Sequence, residues 1–340
     1  MSNELLQKVI DTTNLGSDAT TTNTNGHGLL YPDQANRFID YMWDATILAK
    51  AARTIRMRSN TTEIDKVAVG ERIMRVATES APQNYVSGYT NTGATFSKVS
   101  LTTTKLRLDW ELSSESLEDN LEGGDLEDHI ARLMATQAGN DVEDVLINGD
   151  TTSNDGLLVA FDGFRKKALA GGHVVDAAGD TLKSSVFNSA LKALPRKYKQ
   201  RRNQLRFFAG SNLVQDYLYA LIDVAASPFD IASGVIRGSV AGPDGAPGST
   251  TPFAFGIPVV NVPLMDETRS GTYSGASGNH GDVHLTFPQN FIVGIKRDVT
   301  VYRLFQPKKD TIEYTLYIRV GCAIENLDAH VVVKNVKVAS

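Results

Sequence analysis

The sequence predicts an α+β fold organised around one long helix, with outlying segments that the compact body does not bury. Three observations predict it. Between Gly123 and Gly149 the apolar residues Leu126, Ile130, Leu133, Ala138, Val142, Val145 and Leu146 recur at helical spacing, and Thr136 is the one β-branched residue between Ile130 and Val142. Ahead of that stretch, the segment from Phe96 to Asp109 mixes apolar and polar positions in the near-alternation of an extended ribbon. Beyond it, a helix, strand, helix, strand order gives way to a last third that reads as β throughout, the mark of an α/β lobe followed by sheet.

Met1 to Gly28 is rich in Thr, Asn, Asp and Gly, with one small apolar turn at Leu5, Leu6, Val9 and Ile10. Alone it is a flexible arm that a neighbouring chain would hold. Pro32 opens a helix running to Arg53, with Phe38, Met42 and Ala45 on one stripe and Ile39, Trp43 and Ile47 broadening it. So wide an apolar face needs cover on more than one side, from the same subunit or from the next. From Arg56 to Ser100 the pattern is of strands: Ile64, Val67 and Val69, then Ile73, Met74 and Val76, separated by Gly70-Glu71. Gly88 to Lys98 carries turn residues and few apolar ones. A long two-stranded ribbon is poorly stable by itself, so this one is expected to lie on another subunit.

Glu111 to Asn120 reads as a short acidic helix. The long helix follows, with Asp125 as its cap, Asp128 as a partner three residues on, and Asn148-Gly149 as a left-handed stop. At ~1.5 Å per residue it is a rod of ~35 Å, enough to cross a domain. The turn-rich loop after it fails the calcium-loop pattern, because the sixth position from Asp150 is Asp155 in place of Gly and the twelfth is Phe161. It reads instead as a crossing between lobes.

Ser185 begins a helix with Val186, Phe187, Ala190 and Leu194 inward; the strand Leu205 to Gly210 follows. Ser211 is expected to cap a further helix bearing Leu213, Val214, Tyr217, Leu218, Leu221 and Ile222, before a strand at Ile257 to Pro263. The Gly- and Pro-rich segment from Gly238 to Gly256 lacks the Lys-Ser or Lys-Thr of a phosphate cradle and reads as an exposed loop. Strands are then expected near Val283, Phe291, Val299, Ile312 and from Ala329.

Two stretches, FSKVSLTTTKLRLDWELSSESLEDN from Phe96 and LEDHIARLMATQAGNDVEDVLING from Leu126, resemble the ribbon, short helix and spine helix of tailed-bacteriophage major capsid proteins with the Hong Kong 97 fold. FGIPVV at Phe255 resembles a strand of that family's axial domain, and FPQNFIVGIKRDVTVYRLF with YIRVGCAIENLDAHVVVKNV resembles its return to the peripheral sheet. The order of these motifs carries more weight than any one of them. The resemblance implies an N-terminal arm and helix over 1–55 and an extended β-hairpin loop over 56–104. It implies a peripheral domain over 105–160 and 296–340 with the spine helix at 125–148, and an α/β axial domain over 161–295.

Charge is segregated along the chain. Formal net charge is −5, yet from Asp109 to Asp150 Arg132 is the lone cation, whereas from Arg165 to Arg206 eleven cations face only Asp176 and Asp180. The two runs are either solvated faces or complementary surfaces of adjacent subunits. Nucleic-acid binding by the basic run is disfavoured by its few aromatics beyond Tyr198 and by the acidic whole. The candidate contact residues are Arg72, Arg75 and Lys98 in the ribbon, Glu115, Glu118, Asp119 and Glu122 in the acidic stretch, and Arg196, Arg201 and Arg202 in the basic one.

No catalytic constellation is legible. The histidines are scattered, with no HExxH motif and no G-x-S-x-G elbow, so no catalytic, cofactor or metal residues are assigned. Cys322, the single cysteine, reads as a small core residue and excludes an internal disulfide framework. Some members of the resembled family join a ribbon lysine to an asparagine of a neighbour. Lys98, Asn290 and Asn326 are present, but no local motif singles them out, and Lys98 reads as a surface lysine.

The resemblance thus implies a structural subunit, not an enzyme, that forms pentamers and hexamers of an icosahedral shell around double-stranded DNA, contacted weakly and without sequence specificity. It implies a virion location after assembly in the host cytoplasm, with a portal and a decoration protein as further partners. The short arm after Met1 leaves no room for a built-in scaffolding segment, so a separate scaffolding protein is expected. With no secretory signal and no long apolar run, a soluble protein with no membrane partner is expected. Two alternatives stand beside this: an encapsulin-type compartment, and a soluble α/β enzyme with a β-rich appendage.

Overall fold

The computed structural model describes residues 28–29, 46–68, 95–113, 126–224, 252–273 and 276–339. In chain order these form β1 (Gly28–Leu29), the one-turn α1 (Leu48–Ala51), β2 (Arg53–Met57), β3 (Thr61–Ala68), β4 (Thr95–Thr102), β5 (Thr104–Ser113) and the long α2 (Leu126–Asn148). Then come α3 (Phe164–Gly171), β6 (His173–Asp176), α4 (Ser184–Ala193), α5 (Arg196–Lys199), β7 (Arg206–Ala209) and α6 (Ser211–Val224). The remainder is strand: β8 (Phe253–Ala254), β9 (Ile257–Asn261), β10 (Arg269–Tyr273), β11 (Ala276–Thr286), β12 (Phe291–Gln306), β13 (Thr311–Ile324) and β14 (Val331–Lys337).

Two sheets carry the body. The first runs β1-β12-β13-β5, with β2 alongside β12. Strand periodicity decides its faces: Ile312, Tyr314, Leu316, Ile318, Val320, Cys322 and Ile324 point into the core shared with α2, and the residues between them point to the opposite face. Trp110 of β5 and Tyr314 of β13 are cross-strand partners and stack with ring centroids 5.0 Å apart. The second sheet runs β6-β14-β11-β7-β9-β8, with β10 beside β11. Phe207, Val283, Leu285, Val331 and Val333 lie on one of its faces in a core completed by Phe187 of α4 and by Leu213 and Tyr217 of α6. Phe208 and Val332, on the other face, join the first core. Phe291, at the start of β12, is the junction, with ring centroids 4.5 Å from Phe164, 5.6 Å from Phe208 and 5.4 Å from His330.

The long helix is present and ends at Asn148, as its sequence predicts. Its buried stripe differs from the expected one. Ala135, Ala138, Val142, Val145, Leu146 and Ile147 are buried, while Leu133 is 57% exposed and lies off the stripe. The stop differs too. Gly149 does not take a left-handed φ; a side chain there would run into the carbonyl oxygens of Phe161 and Val145, so glycine is needed for close approach. Ser211 is the first residue of α6 and donates to Asn261 (2.9 Å), and the carboxylate of Glu267 caps the helix instead by accepting from Asn212 N and Leu213 N at 3.0 and 2.9 Å.

Two boundaries move. Strand β14, grouped by sequence with the peripheral residues 296–340, pairs with β11 and β6 in the second sheet. Arg56 and Met57, grouped with the extended loop, belong to β2, parallel to β12 in the first sheet. Both have one cause: an apolar strand shows that it needs a sheet without showing which. The strands expected at Phe291 and Val299 form one, β12, with a register shift between Lys296 and Thr300. Glu111 to Ser113, expected to open the short acidic helix, instead close strand β5 opposite Thr311 to Glu313; the rest of that helix and the stretch to the Asp125 cap, the arm before Gly28, the helix from Pro32 up to Ala45, the ribbon over 69–94 and most of the Gly- and Pro-rich loop lie outside the described residues.

Candidate assembly surfaces

The ribbon is built from β3 and β4, paired antiparallel from Thr61↔Thr102 to Ala68↔Thr95. Alternation gives it two unlike faces. Ile64, Val99 and buried Leu101 turn toward the first sheet and pack with Met57, Ile292 and Ala323. Glu63, Asp65, Lys98 and Phe96 occupy the other face, where Phe96 is 77% exposed. Lys98 Nζ lies 2.6 Å from Glu63, which raises the lysine's pKa.

What lets the ribbon root sit on the sheet is a pair of glycines. Gly294 and Gly321 are direct cross-strand partners on β12 and β13. A Cβ on Gly294 would stand 2.6 Å from Met57 Sδ and 2.7 Å from Leu101 Cδ2, and one on Gly321 would collide with the carbonyl oxygen of Thr102. Here the missing side chains are a socket for β4. The elbow beside it is pinned: Asn60 O accepts from Thr103 N at 2.9 Å, and Asn60 Oδ1 accepts from both Lys296 Nζ, at 3.2 Å, and Arg319.

The two charge runs fare differently. The first cations of the basic run turn inward: Arg165 pairs with buried Asp282 (2.6 Å), Lys166 with Asp150 (2.6 Å) and Asp162 (2.9 Å), and Lys167 donates to Cys322 O. Lys166 holds the Asp150 carboxyl well below its ordinary range, so the loop after α2 is closed by a half-exposed lysine of the same chain. Arg196, Arg201 and Arg202 are exposed, and Arg202 donates to Phe255 O. Of the other candidate residues, Lys98 lies on the outer ribbon face; Arg72, Arg75, Glu115, Glu118, Asp119 and Glu122 lie outside the described residues.

The spine carboxylates divide by task. Asp141 accepts from Gln137 (2.7 Å) and Asp144 from Asn148 (2.6 Å), while Glu143 is buried and accepts from Ile47 N (2.9 Å) and Leu48 N, anchoring α1 on the spine. Burial raises the Glu143 carboxyl's pKa, opposed by the N–H groups of Ile47, Leu48 and Ala49. Asn290 and Asn326 are committed to local structure: Asn290 Oδ1 accepts from Asn326 N (2.7 Å), and Asn326 Nδ2 donates to Tyr198 OH (2.6 Å). Cys322 is buried, and desolvation pushes its thiol up to about 11, unsuited to a nucleophile.

Sequence reasoning missed one buried polar group. His284 Nδ1 and His330 Nε2 lie 2.9 Å apart, and Asp282 on the same strand as His284 receives Arg165 and Arg269 at 2.6 and 2.9 Å. Burial, with Arg165 and Arg269 nearby, lowers His284 to about 3, and burial with His284 holds His330 well below its ordinary value. The residues are far apart in sequence, and the only hint was alternation along β11, which places Asp282 and His284 on one face between apolar Val283 and Leu285.

No family model matches the chain. A curated Bacillus subtilis (strain 168) protein, YqbE, assigned as a prophage capsid protein, is 28% identical over 285 residues, covering 84% of this chain and 85% of its own. A chain of the satellite phage P4 procapsid superposes with a TM-score of 0.60 at 13% identity, covering 98% of both chains. A Synechococcus elongatus PCC 7942 encapsulin, SrpI, gives 0.56 at 11% identity over 97% of this chain and 96% of that one. By its order of elements, its long helix packed against one sheet and these likenesses, the chain has the Hong Kong 97-like fold found in phage capsid proteins and is similar to a prophage capsid protein.

Proposed function

We propose that the chain is the subunit of an icosahedral phage head, forming pentamers and hexamers that close around double-stranded DNA, with a structural role and no catalysis. One observation carries this beyond the fold: the ribbon's outer face presents Phe96, 77% exposed, on two strands whose inner face already rests on their own body. A second copy would bury that ring, and a closed shell needs several such modest patches. The prophage capsid assignment of the Bacillus subtilis relative supports the phage reading over the encapsulin one. Arg196, Arg201 and Arg202 are proposed as contacts from the second lobe. Arg72, Arg75 and Lys98 are proposed from the ribbon, and Glu115, Glu118, Asp119 and Glu122 as their acidic counterparts. A scaffolding protein, a portal and a decoration protein are the proposed further partners, with the virion as the location and the host cytoplasm as the place of assembly.

The test is to express the chain and examine it by light scattering and negative-stain microscopy. Closed shells or ring-shaped capsomers are expected; a small monodisperse monomer overturns the reading. Shells that recruit a cargo protein, and package no DNA when the phage packaging machinery is supplied, would move it to the encapsulin class.

A further inference from the structure

Beside the glycine socket, the outer face of the first sheet carries a row of like charges. Lys296 of β12 faces Arg319 of β13, and Arg319 faces Lys105 of β5, so three cations stand directly across three adjacent strands. Arg107, two residues on, extends the row on the same face. Like charges directly opposite one another weaken a sheet, and among the described residues this row is not neutralised. Among the described residues neither Lys105, Lys296 nor Arg319 has a carboxylate in ion-pair range. Lys296 and Arg319 share the neutral Asn60 amide oxygen, and Lys105 lies 3.7 Å over the Tyr317 ring. Arg107 alone has an acidic partner, Asp109, both of them exposed.

We propose that this row docks the acidic stretch Glu115–Glu122 of a second copy of the chain, an inference that rests on the shell reading above and names one of its contacts. Spacing favours that occupant. Glu115, Glu118, Asp119 and Glu122 recur at three and four residues, which on a helix puts them on one face with neighbours ~5–6 Å apart. Adjacent strands set the cations ~4.8 Å apart, a close match. The stretch has no cation of its own between Asp109 and Arg132. Within one copy, β5, which leads into it, ends at the far end of the sheet. Ser113 pairs with Thr311 beside the β12–β13 turn, ~27 Å along β5 from Lys105 at ~3.4 Å per residue. Supply from a neighbour avoids that return path.

The experiment is a charge swap read by sedimentation of assembled particles. Lys105→Glu with Lys296→Glu is expected to lower shell yield about tenfold, and Glu118→Lys with Asp119→Lys to lower it equally. All four changes in one chain should restore it. Because the Glu118 and Asp119 variant leaves the sheet's own residues unchanged, it tests the contact even if the sheet variant unfolds, which its denaturation midpoint would report. Wild-type shells with unchanged yield in both variants overturn the docking and leave the shell reading standing. Loss in the sheet variant that the swap does not restore also overturns it, because the row then serves another anion. Normal shells with reduced DNA content assign the row to nucleic acid and likewise overturn it. Absence of shells from the wild type removes the shell reading and this contact together.

Discussion

Single residues set how the parts touch, and Gly321 is the sharpest case. Its Cα lies so close under Thr102 that even alanine must push β4 off the sheet. Gly321→Ala is therefore expected to destabilise the body by about 1–3 kcal/mol, as overpacking does, measured as a drop in denaturant midpoint. Gly156, in the exposed loop, has open space around its Cα, so Gly156→Ala is the silent control. The histidine pair predicts a pH dependence with a definite sign. His284 titrates near 3 when folded and near 6.5 when unfolded, and His330 is shifted the same way. Between those values the unfolded chain binds more protons than the folded one. Stability is thus retained above pH ~6.5 and falls as pH drops toward ~3, by up to about 1.4 kcal/mol per pH unit for His284, with His330 acting in the same direction. Denaturant midpoints measured from pH 7 to pH 5 should fall, and His284→Gln, which removes one titrating ring, should make that fall shallower. A flat profile in the parent would contradict the buried neutral pair.

At the scale of elements, the ribbon separates folding from assembly. Phe96 is 77% exposed, so Phe96→Ser should change the stability of the unassembled chain by less than about 0.5 kcal/mol while reducing particle yield. Equal loss of both would mean that the ring is part of the subunit's own core. The long helix behaves in the opposite way. Glu143 binds it to α1 by accepting two backbone N–H groups in a buried place, and Glu143→Ala should cost about 1–3 kcal/mol by stranding those donors. These contrasts also explain what was legible in the sequence. Helical spacing revealed α2, and near-alternation revealed β4, β5 and β13, because periodicity is a local signal. Capping of α6 by Glu267 and seating of β4 on Gly294 and Gly321 depend on partners distant in sequence, and no local pattern encodes them. The assembly candidates were legible as charge runs only. Structure then turned Arg165, Lys166 and Lys167 inward and disclosed Lys105, Lys296 and Arg319, which belong to no run.

On the scale of the whole molecule, two sheets with different partners must behave as one body. Apolar continuity does most of this through Phe291, which reaches Phe164 on one side and Phe208 and His330 on the other. Asp282 adds a polar latch at the same boundary. Its carboxylate lies in the second sheet, buried, and binds Arg165 from α3, which packs against the spine helix, as well as Arg269 from β10. Asn335 N donates to its other oxygen at 3.3 Å. Removing one member of such a group costs more than the group contributes, because the remaining charges lose their partner in a poorly solvated place. Asp282→Ala should therefore destabilise by about 3 kcal/mol, the lower end of the buried range, since both arginine side chains keep a quarter of their exposure. Replacing Asp282 and Arg165 together by Leu and Met should recover part of that loss, since the pair is then absent instead of broken. Hydrogen exchange distinguishes a latch from a local packing defect. If Asp282 couples the sheets, the single variant will exchange β11 and β14 amides well before those of α2, whereas in the parent both sets open together; loss of protection confined to the immediate neighbours of Asp282 would show that Phe291 alone joins the two halves.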